Sequence, residues 1–359
     1  MSKSYYSLGL MSGTSMDGVD ASIIKSDGET KYKVISNKYF QYDRDIYENI
    51  HKTKDRINNY RDLTVLSKEI KDLEKKITLF HAKVVKNMNY EGTDFIGFHG
   101  QTIFHNPEKK ISIQLGDANL LSSFTKKNVI YNFRQNDIDN GGEGAPLTPI
   151  FHKAMVRQKK INLPVTILNM GGIANITSID KEYQILSYDI GPGNCLIDEW
   201  IRKNSDKNYD NEGMIARTGL VNKIILEQSL DRFFTSSINK KKSYDTKDFD
   251  LSFVRGLSLE DGAATLTEFS AQIFSEKTFH KNIYICGGGR KNKFLLERIE
   301  KIIKNKIKLI DDLEIDGDFV ESQAFAYLAI RSFLKLPISF PETTGVKKPC
   351  SGGKIIKIK

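Results

Sequence analysis

Twice in this chain a short apolar strand runs into a glycine-rich turn and comes straight back. The first copy, from Tyr5, is YYSLGLMSGTSMDGVDASIIKSDG, and the KYKVISNKYFQY that follows alternates like a third strand. The second, from Leu163, reads LPVTILNMGGIANITSIDKEYQILSYDIGPGN: strand, double-glycine turn, strand, short turn, strand, second glycine turn. A meander with a glycine turn between its first two strands, present in both halves with little residue identity, predicts two structurally similar α/β domains facing one another. A length of 359 residues accommodates two domains of about 150 to 200 residues each.

Between the meanders, helical spacing takes over from Tyr47 to about Asn89, with Leu63, Leu66, Ile70, Leu73, Ile77 and Phe80 recurring at intervals of three or four. These helices should cover one face of the first sheet. TDFIGFHGQT then reads as a buried strand ending in a polar turn, and KKISIQLGDANLLSSF as strand, acidic turn and helix. Ligands of open α/β sheets bind at the carboxyl ends of strands, so His99, Gln101 and Asp117 are candidates by position, with loop capping as the competing role.

The stretch NGGEGAPLTP, from Asn140, concentrates Gly and Pro and is read as the junction and hinge. It divides the chain into domains 1–145 and 146–359, the last segment being free to return to the first domain. After the second meander come helices in NCLIDEWIRKN and LEDGAATLTEFSAQIFSEKTF, then strand, Gly-Gly-Gly and helix in NIYICGGGRKNKFLLERIEKIIKN.

Three glycine-rich turns at strand ends fit a nucleotide held between two domains, because backbone N–H groups can approach phosphates with no Cβ in the way. Neither GxxxxGK[ST] nor GxGxxG occurs, which leaves a hairpin-based clamp. In such a clamp the amides and hydroxyls of GTSMDG hold the β- and γ-phosphates, and Asp17 or Asp20 stands near the metal through its waters. NMGGIAN opposes it from the other half, and CGGGRKN closes over the adenosine. Each of the three turns read alone is weak evidence, since glycine hairpins that merely turn are commoner than phosphate binders. Asp189, at the end of the strand in YQILSYDIGPGN with Ile185 and Ser187 on its face, is the carboxylate best placed for general-base work; its alternative role is to cap the next helix.

The excess of basic residues gives a net charge of +9, but it is spread over many short clusters. That predicts a solvated lysine-rich surface and no nucleic-acid partner. The densest cluster, KKKSYDTKDFD from Lys240, is interrupted by acids and is placed on a loop. No apolar run approaches the ~18 residues of a membrane span, and SGTS followed by Asp17 breaks the first apolar stretch too early for a signal peptide. Cys195, Cys286 and Cys350 are too few and too scattered for a disulfide framework or a zinc site. A cytoplasmic protein with no membrane partner is expected.

These residues resemble the anhydro-N-acetylmuramic acid kinase family of the acetate kinase, sugar kinase, Hsp70 and actin superfamily. The resemblance runs from GLMSGTSMDGVDAS through GFHGQTIFHNP, IQLGDANLL, NFRQNDIDNGGEGAPLTPIFH, LNMGGIANIT, DIGPGNCLIDEW, TLTEFSA and CGGGRKNKFL to ESQAFAYLA and TTGV. It implies two ribonuclease H-like (actin-like ATPase) domains around a central interdomain cleft, and an alcohol-acceptor phosphotransferase using ATP and Mg2+. The implied reaction joins ATP and water to 1,6-anhydro-N-acetylmuramic acid, opening the anhydro ring and giving N-acetylmuramic acid 6-phosphate for cell-wall recycling.

By the same resemblance Asp189 matches the catalytic aspartate, and Gly13, Thr14, Ser15, Met16, Asp17, Gly18, Val19 and Asp20 match the ATP phosphate segment. Gly171 and Gly172 form the opposing turn, and Gly287, Gly288 and Gly289 match the adenosine-side turn. Asp117 and Glu321 match carboxylates that meet the sugar, with His99 and Gln101 beside them, and Asp17 and Asp20 reach the metal through water. A homodimer is implied as well.

Three positions depart from the family pattern: Glu143 stands where Gln is expected, Asn106 where Arg is common and Ile190 where Thr is usual. Three rival readings compete with this one: a non-catalytic ATP clamp of the same superfamily, a polyanion-binding protein, and an ordinary sugar kinase acting on a free hexose hydroxyl without a captured water.

Overall fold

The computed structural model of the chain describes residues 3–236, 243–278 and 282–358. The head of the lysine cluster, Lys240 to Lys242, lies outside the described residues. The first meander is antiparallel, formed by β1 (Tyr5–Ser12), β2 (Gly18–Ser26) and β3 (Tyr32–Gln41). The next strand, β4 (Phe95–Asn106), lies parallel to β1. Its end pairs back with β5 (Ile111–Leu115), and its start pairs in parallel with β6 (Asn128–Tyr131).

Helices Arg44–Arg56 and Ser67–Lys86 cover one face of this sheet, as the spacing from Tyr47 predicts. Leu8, Leu10 and Ile96 share a buried cluster there with Ile50, Leu73 and Ile77. At roughly 25 cal/mol per Å2 of apolar surface removed from water, each such side chain stabilises the sheet by about 2 kcal/mol.

The second sheet repeats the plan. Strands β7 (Val165–Met170), β8 (Ile173–Ile179) and β9 (Ile185–Pro192) form an antiparallel meander. Then β10 (Ile283–Cys286) runs parallel to β7, and β11 (Ile307–Leu309) parallel to β10. The order β11-β10-β7-β8-β9 matches β6-β4-β1-β2-β3 position for position. In each, a three-stranded meander is followed by two strands parallel to its first, the ribonuclease H-like order. Helix Leu259–Lys277 is buried along most of its length, and its Gly262 leaves room for the Trp200 ring, which a Cβ would approach to 2.4 Å.

The chain returns to the first sheet at its end. Helix Val320–Phe333 lies on the face of β1 and β4 opposite the Leu8 cluster, and β12 (Lys354–Ile356) pairs antiparallel with β6. Small residues make this possible. A Cβ on Gly9 would stand 2.0 Å from the Ser322 carbonyl oxygen, and one on Gly97 2.4 Å from that of Phe325. Ser22, opposite Gly9 in the register, bonds Ser322 through the two hydroxyls at 2.7 Å. With strand side chains alternating between faces, the leucines of LGL point one way and its glycine the other.

Contacts accordingly divide the chain into residues 1–161 with 318–359, and residues 162–317. The break falls later than the residue-145 junction expected from NGGEGAPLTP. Helix Pro149–Gln158 belongs to the first unit, where the Gln158 side chain accepts from Tyr32 N–H at 2.9 Å and Phe151 packs edge-on against Tyr32. The Gly/Pro stretch is pinned within that unit. Asp137 accepts from Gly144 N–H and from the Thr344 hydroxyl, both at 2.6 Å.

Candidate active site

In the first unit, residues 13–17 form the loop between β1 and β2. It closes with Met16 N–H donating to the Gly13 carbonyl at 3.2 Å, and Met16 takes a left-handed conformation, φ 57°. That twist buries the Met16 side chain and leaves Thr14, Ser15 and Asp17 exposed. The Ser15 hydroxyl donates to Asp17 at 2.6 Å. Gly18 is required by its neighbours, since a Cβ there would lie 2.4 Å from the Phe40 carbonyl oxygen. Val19 is fully buried and Asp20 half-buried.

The loop rests on a buried polar chain with one direction. His81 bonds the Ile77 carbonyl through Nδ1 at 2.8 Å, so Nδ1 carries the proton and Nε2 accepts from Ser12 Oγ at 3.3 Å. Ser12 Oγ therefore accepts from the Tyr42 hydroxyl at 2.8 Å, while Tyr42 N–H donates to the Asp17 carbonyl, also at 2.8 Å. One tyrosine thus grips both ends of the loop. Burial keeps His81 neutral, pushing it down to about 4. Asp17 and Asp20 both act on the Tyr39 phenol, which is raised first by burial and then by these two carboxylates.

Gln101 is fully buried and donates from Nε2 to the Gly13 carbonyl at 3.0 Å, tying the end of β4 to the loop; its Oε1 has no hydrogen-bond partner among the described residues. His99 has internal partners on both ring nitrogens. Nδ1 bonds the Gly100 carbonyl at 2.8 Å, and Nε2 accepts from the Arg134 guanidinium at 2.9 Å. Desolvation and the adjacent Arg134 charge hold it well below the usual histidine range, so it is neutral. Arg134 in turn donates to the Gly144 carbonyl at 2.8 Å.

Asp117 is exposed and caps helix Ala118–Thr125, one carboxylate oxygen accepting from Asn119 and Leu120 N–H at 2.9 and 3.0 Å. Glu321 sits half-buried in the first turn of helix Val320–Phe333. The departures have local roles. Asn106 caps the short 3-10 turn Pro107–Lys109, Glu143 N–H donates to the Thr344 carbonyl, and Ile190 is a buried core residue.

In the second unit the glycine turns interlock. The Gly171 carbonyl accepts from Asn194 N–H at 3.0 Å, and that of Gly172 from Gly193 and Cys195 N–H at 2.8 and 3.1 Å. A Cβ on Gly193 would fall 2.3 Å from the Gly171 carbonyl oxygen. Gly287 and Gly289 fit against Met170, whose carbonyl a Cβ on either would meet at 2.7 Å. Gly288 is exposed with open space around it. The turn is braced by Arg290, which donates to both oxygens of Asp311 at 2.8 and 3.0 Å and holds that carboxyl low. Asn292 adds a bond to Asn194 at 3.0 Å.

Asp189 lies inside β9, opposite Asn175, where a bulge makes Ile190 the extra residue. The strand runs on to Pro192, so the carboxylate stands before the strand end rather than at it. It is 6% exposed, and Oδ2 accepts from Tyr244 N–H at 2.8 Å. The next helix, Cys195–Asn204, has Asn194 at its cap position, and the Asn194 side chain makes no capping bond among the described residues. Lys277 is pushed down to about 8 by burial, with the Asp189 charge opposing that shift.

Tyr42, His81, Arg134, Tyr244 and Lys277 escaped the sequence reading. Arg134 falls inside the motif NFRQNDIDNGG, but nothing local singles it out; a backbone donor such as Tyr244 N–H carries no residue signal. Among the described residues there is no cluster of acidic, histidine or cysteine side chains able to hold a metal unaided, and no helix long and apolar enough to cross a membrane.

Comparison with known proteins covers almost the whole chain. The family model for anhydro-N-acetylmuramic acid kinase matches residues 5–357. A protein of that name from Pelagibacter ubique is 55% identical over 99% of this chain and 100% of its own length. Namesakes from Zymomonas mobilis and Agrobacterium fabrum are 37% and 35% identical over 97% and 98% of this chain, each covered over 98%.

Proposed function

The chain belongs to the anhydro-N-acetylmuramic acid kinase family, and on that footing we propose that it converts 1,6-anhydro-N-acetylmuramic acid, ATP and water into N-acetylmuramic acid 6-phosphate and ADP in cell-wall recycling. The observation that carries the chemical assignment is Asp189: a buried carboxylate that accepts from Tyr244 N–H, on a strand that leads into the interlocked glycine turns. Asp189 takes a proton from water as its oxygen bonds the anomeric carbon. The bond from that carbon to O6 breaks, and O6 bonds the γ-phosphorus as the bond to the β-phosphate oxygen breaks.

Thr14, Ser15 and the amides of residues 13–20 are assigned to phosphate oxygens; the exposure of the two hydroxyls supports this. Gly171 and Gly172 are also assigned to the phosphates, and Gly287, Gly288 and Gly289 to the adenosine, since open space over Gly288 suits a flat base. Asp117 and Glu321 are assigned to the sugar. Gln101 links that side to the phosphate loop, and His99 acts through Arg134.

Asp17, exposed on the loop, and Asp20, paired with Tyr39 across β2 and β3, would hold a magnesium ion through its waters. When bound, the ion neutralises charge on the β- and γ-phosphates. The family also supports a cytoplasmic homodimer. The reading is tested by mass spectrometry of the products: one sugar 6-phosphate per ADP is expected from the wild type, and at least a ~10²-fold lower kcat from Asp189→Asn with ATP KM preserved. Absence of the phosphorylated sugar contradicts the function, and normal turnover by Asp189→Asn contradicts the base.

A further inference from the structure

Tyr244, whose N–H meets Asp189, is itself held from the far side. Its hydroxyl accepts from Lys277 Nζ at 3.2 Å, and its ring packs on Phe249, with centroids 5.3 Å apart. The same ammonium lies 5.2 Å from the centre of the Phe233 ring and 5.7 Å from that of Tyr244. Lys277 is the last residue of the long buried helix Leu259–Lys277, and its carbonyl accepts from the Tyr188 hydroxyl at 3.3 Å. The cation therefore starts from a rigid element anchored to β9 one residue before Asp189.

A partly buried ammonium over two aromatic rings is an expensive choice if packing alone is needed, since a methionine would fill the space without desolvating a charge. What the lysine adds is a directed donor to one hydroxyl. We propose that Lys277 is a positioning residue for Asp189: by fixing the Tyr244 hydroxyl it aims the Tyr244 N–H at the carboxylate. The inference rests on the assignment of Asp189 as the base. It also accounts for the electrostatics, because the Asp189 charge resists the loss of the Lys277 proton that burial favours.

The test uses the full chain with Lys277→Met, Tyr244→Phe, the double variant, Lys277→Arg and Asp189→Asn, assayed for kcat and both KM values. Lys277→Met and Tyr244→Phe each remove one end of a single bond, so each should lower kcat about tenfold with both KM values unchanged. The double variant should lose no more than either single one. Lys277→Arg, which keeps the cationic donor, should recover at least half of the loss in logarithmic terms. A wild-type kcat in Lys277→Met overturns the proposal, as do losses that multiply in the double variant or a fall confined to KM. Tyr244→Phe keeps the ring packed, so it stands as the test if Lys277→Met folds poorly by circular dichroism. Normal turnover by Asp189→Asn overturns the base and this inference together; an inactive Asp189→Asn beside a normal Lys277→Met overturns the inference alone.

Discussion

The loop between β1 and β2 and the turn between β7 and β8 occupy the same place in matching sheets, yet they use their backbones in opposite ways. In the second, the carbonyls of Gly171 and Gly172 accept bonds from three consecutive N–H groups, so the turn is locked into its own unit. In the first, the outer residues Thr14, Ser15 and Asp17 are exposed, and the loop is gripped from beneath by Tyr42 and Gln101. Gly193 packs on the turn so closely that a Cβ would meet the Gly171 carbonyl oxygen at 2.3 Å, whereas a Cβ on Gly13 of the open loop would have its nearest neighbour at 3.8 Å. A glycine count cannot separate these uses; only the atoms around a hypothetical Cβ can.

Substitutions can break this contrast, and the largest effect is expected at the locked turn. Gly193→Ala drives a methyl into the Gly171 carbonyl and should cost about 3 kcal/mol in urea unfolding. A midpoint unchanged from wild type would show that the interlock yields freely.

Acid should act on the open loop through His81. Its folded value, about 4, lies below the ordinary 6.5, so the unfolded chain binds the extra proton first. This contribution is present above pH 6.5 and is lost as pH falls toward 4, up to roughly 3 kcal/mol. His81→Gln should flatten the stability profile over that window; an equally steep profile would assign the loss to other groups.

Ser12→Ala leaves the Tyr42 hydroxyl and His81 Nε2 without their buried link. It should cost about 2 kcal/mol and raise the KM for ATP, with kcat less affected. The smallest effect on stability is expected at Gly13→Ala, where the nearest atom to a new Cβ is 3.8 Å away, within about 0.5 kcal/mol of wild type. A large loss there would mean that the first loop is locked like the second.

The architecture was legible because alternation and glycine turns are local signals: the helical spacing to Phe80 and the repeated meander both appear as read. The unit boundary was not. Gly and Pro in NGGEGAPLTP mark a tight loop, but Asp137 and Thr344 pin it from positions far apart in sequence. Of the proposed site residues, Asp17 and Asp189 stood out by type and place. His99 looked like a ligand for the same reason, yet both its nitrogens are engaged by Gly100 and Arg134, and Asp117 is engaged in capping its helix. Partners that act through backbone N–H, as Tyr244 does, carry no residue signature at all.

The most direct measurement is isotopic: the protein is given Mg-ATP and 1,6-anhydro-N-acetylmuramic acid in H₂¹⁸O, and the sugar phosphate is weighed before its anomeric oxygen exchanges. One ¹⁸O at the anomeric carbon and none in the phosphate is the expected result. Product without that label would contradict a water captured by Asp189.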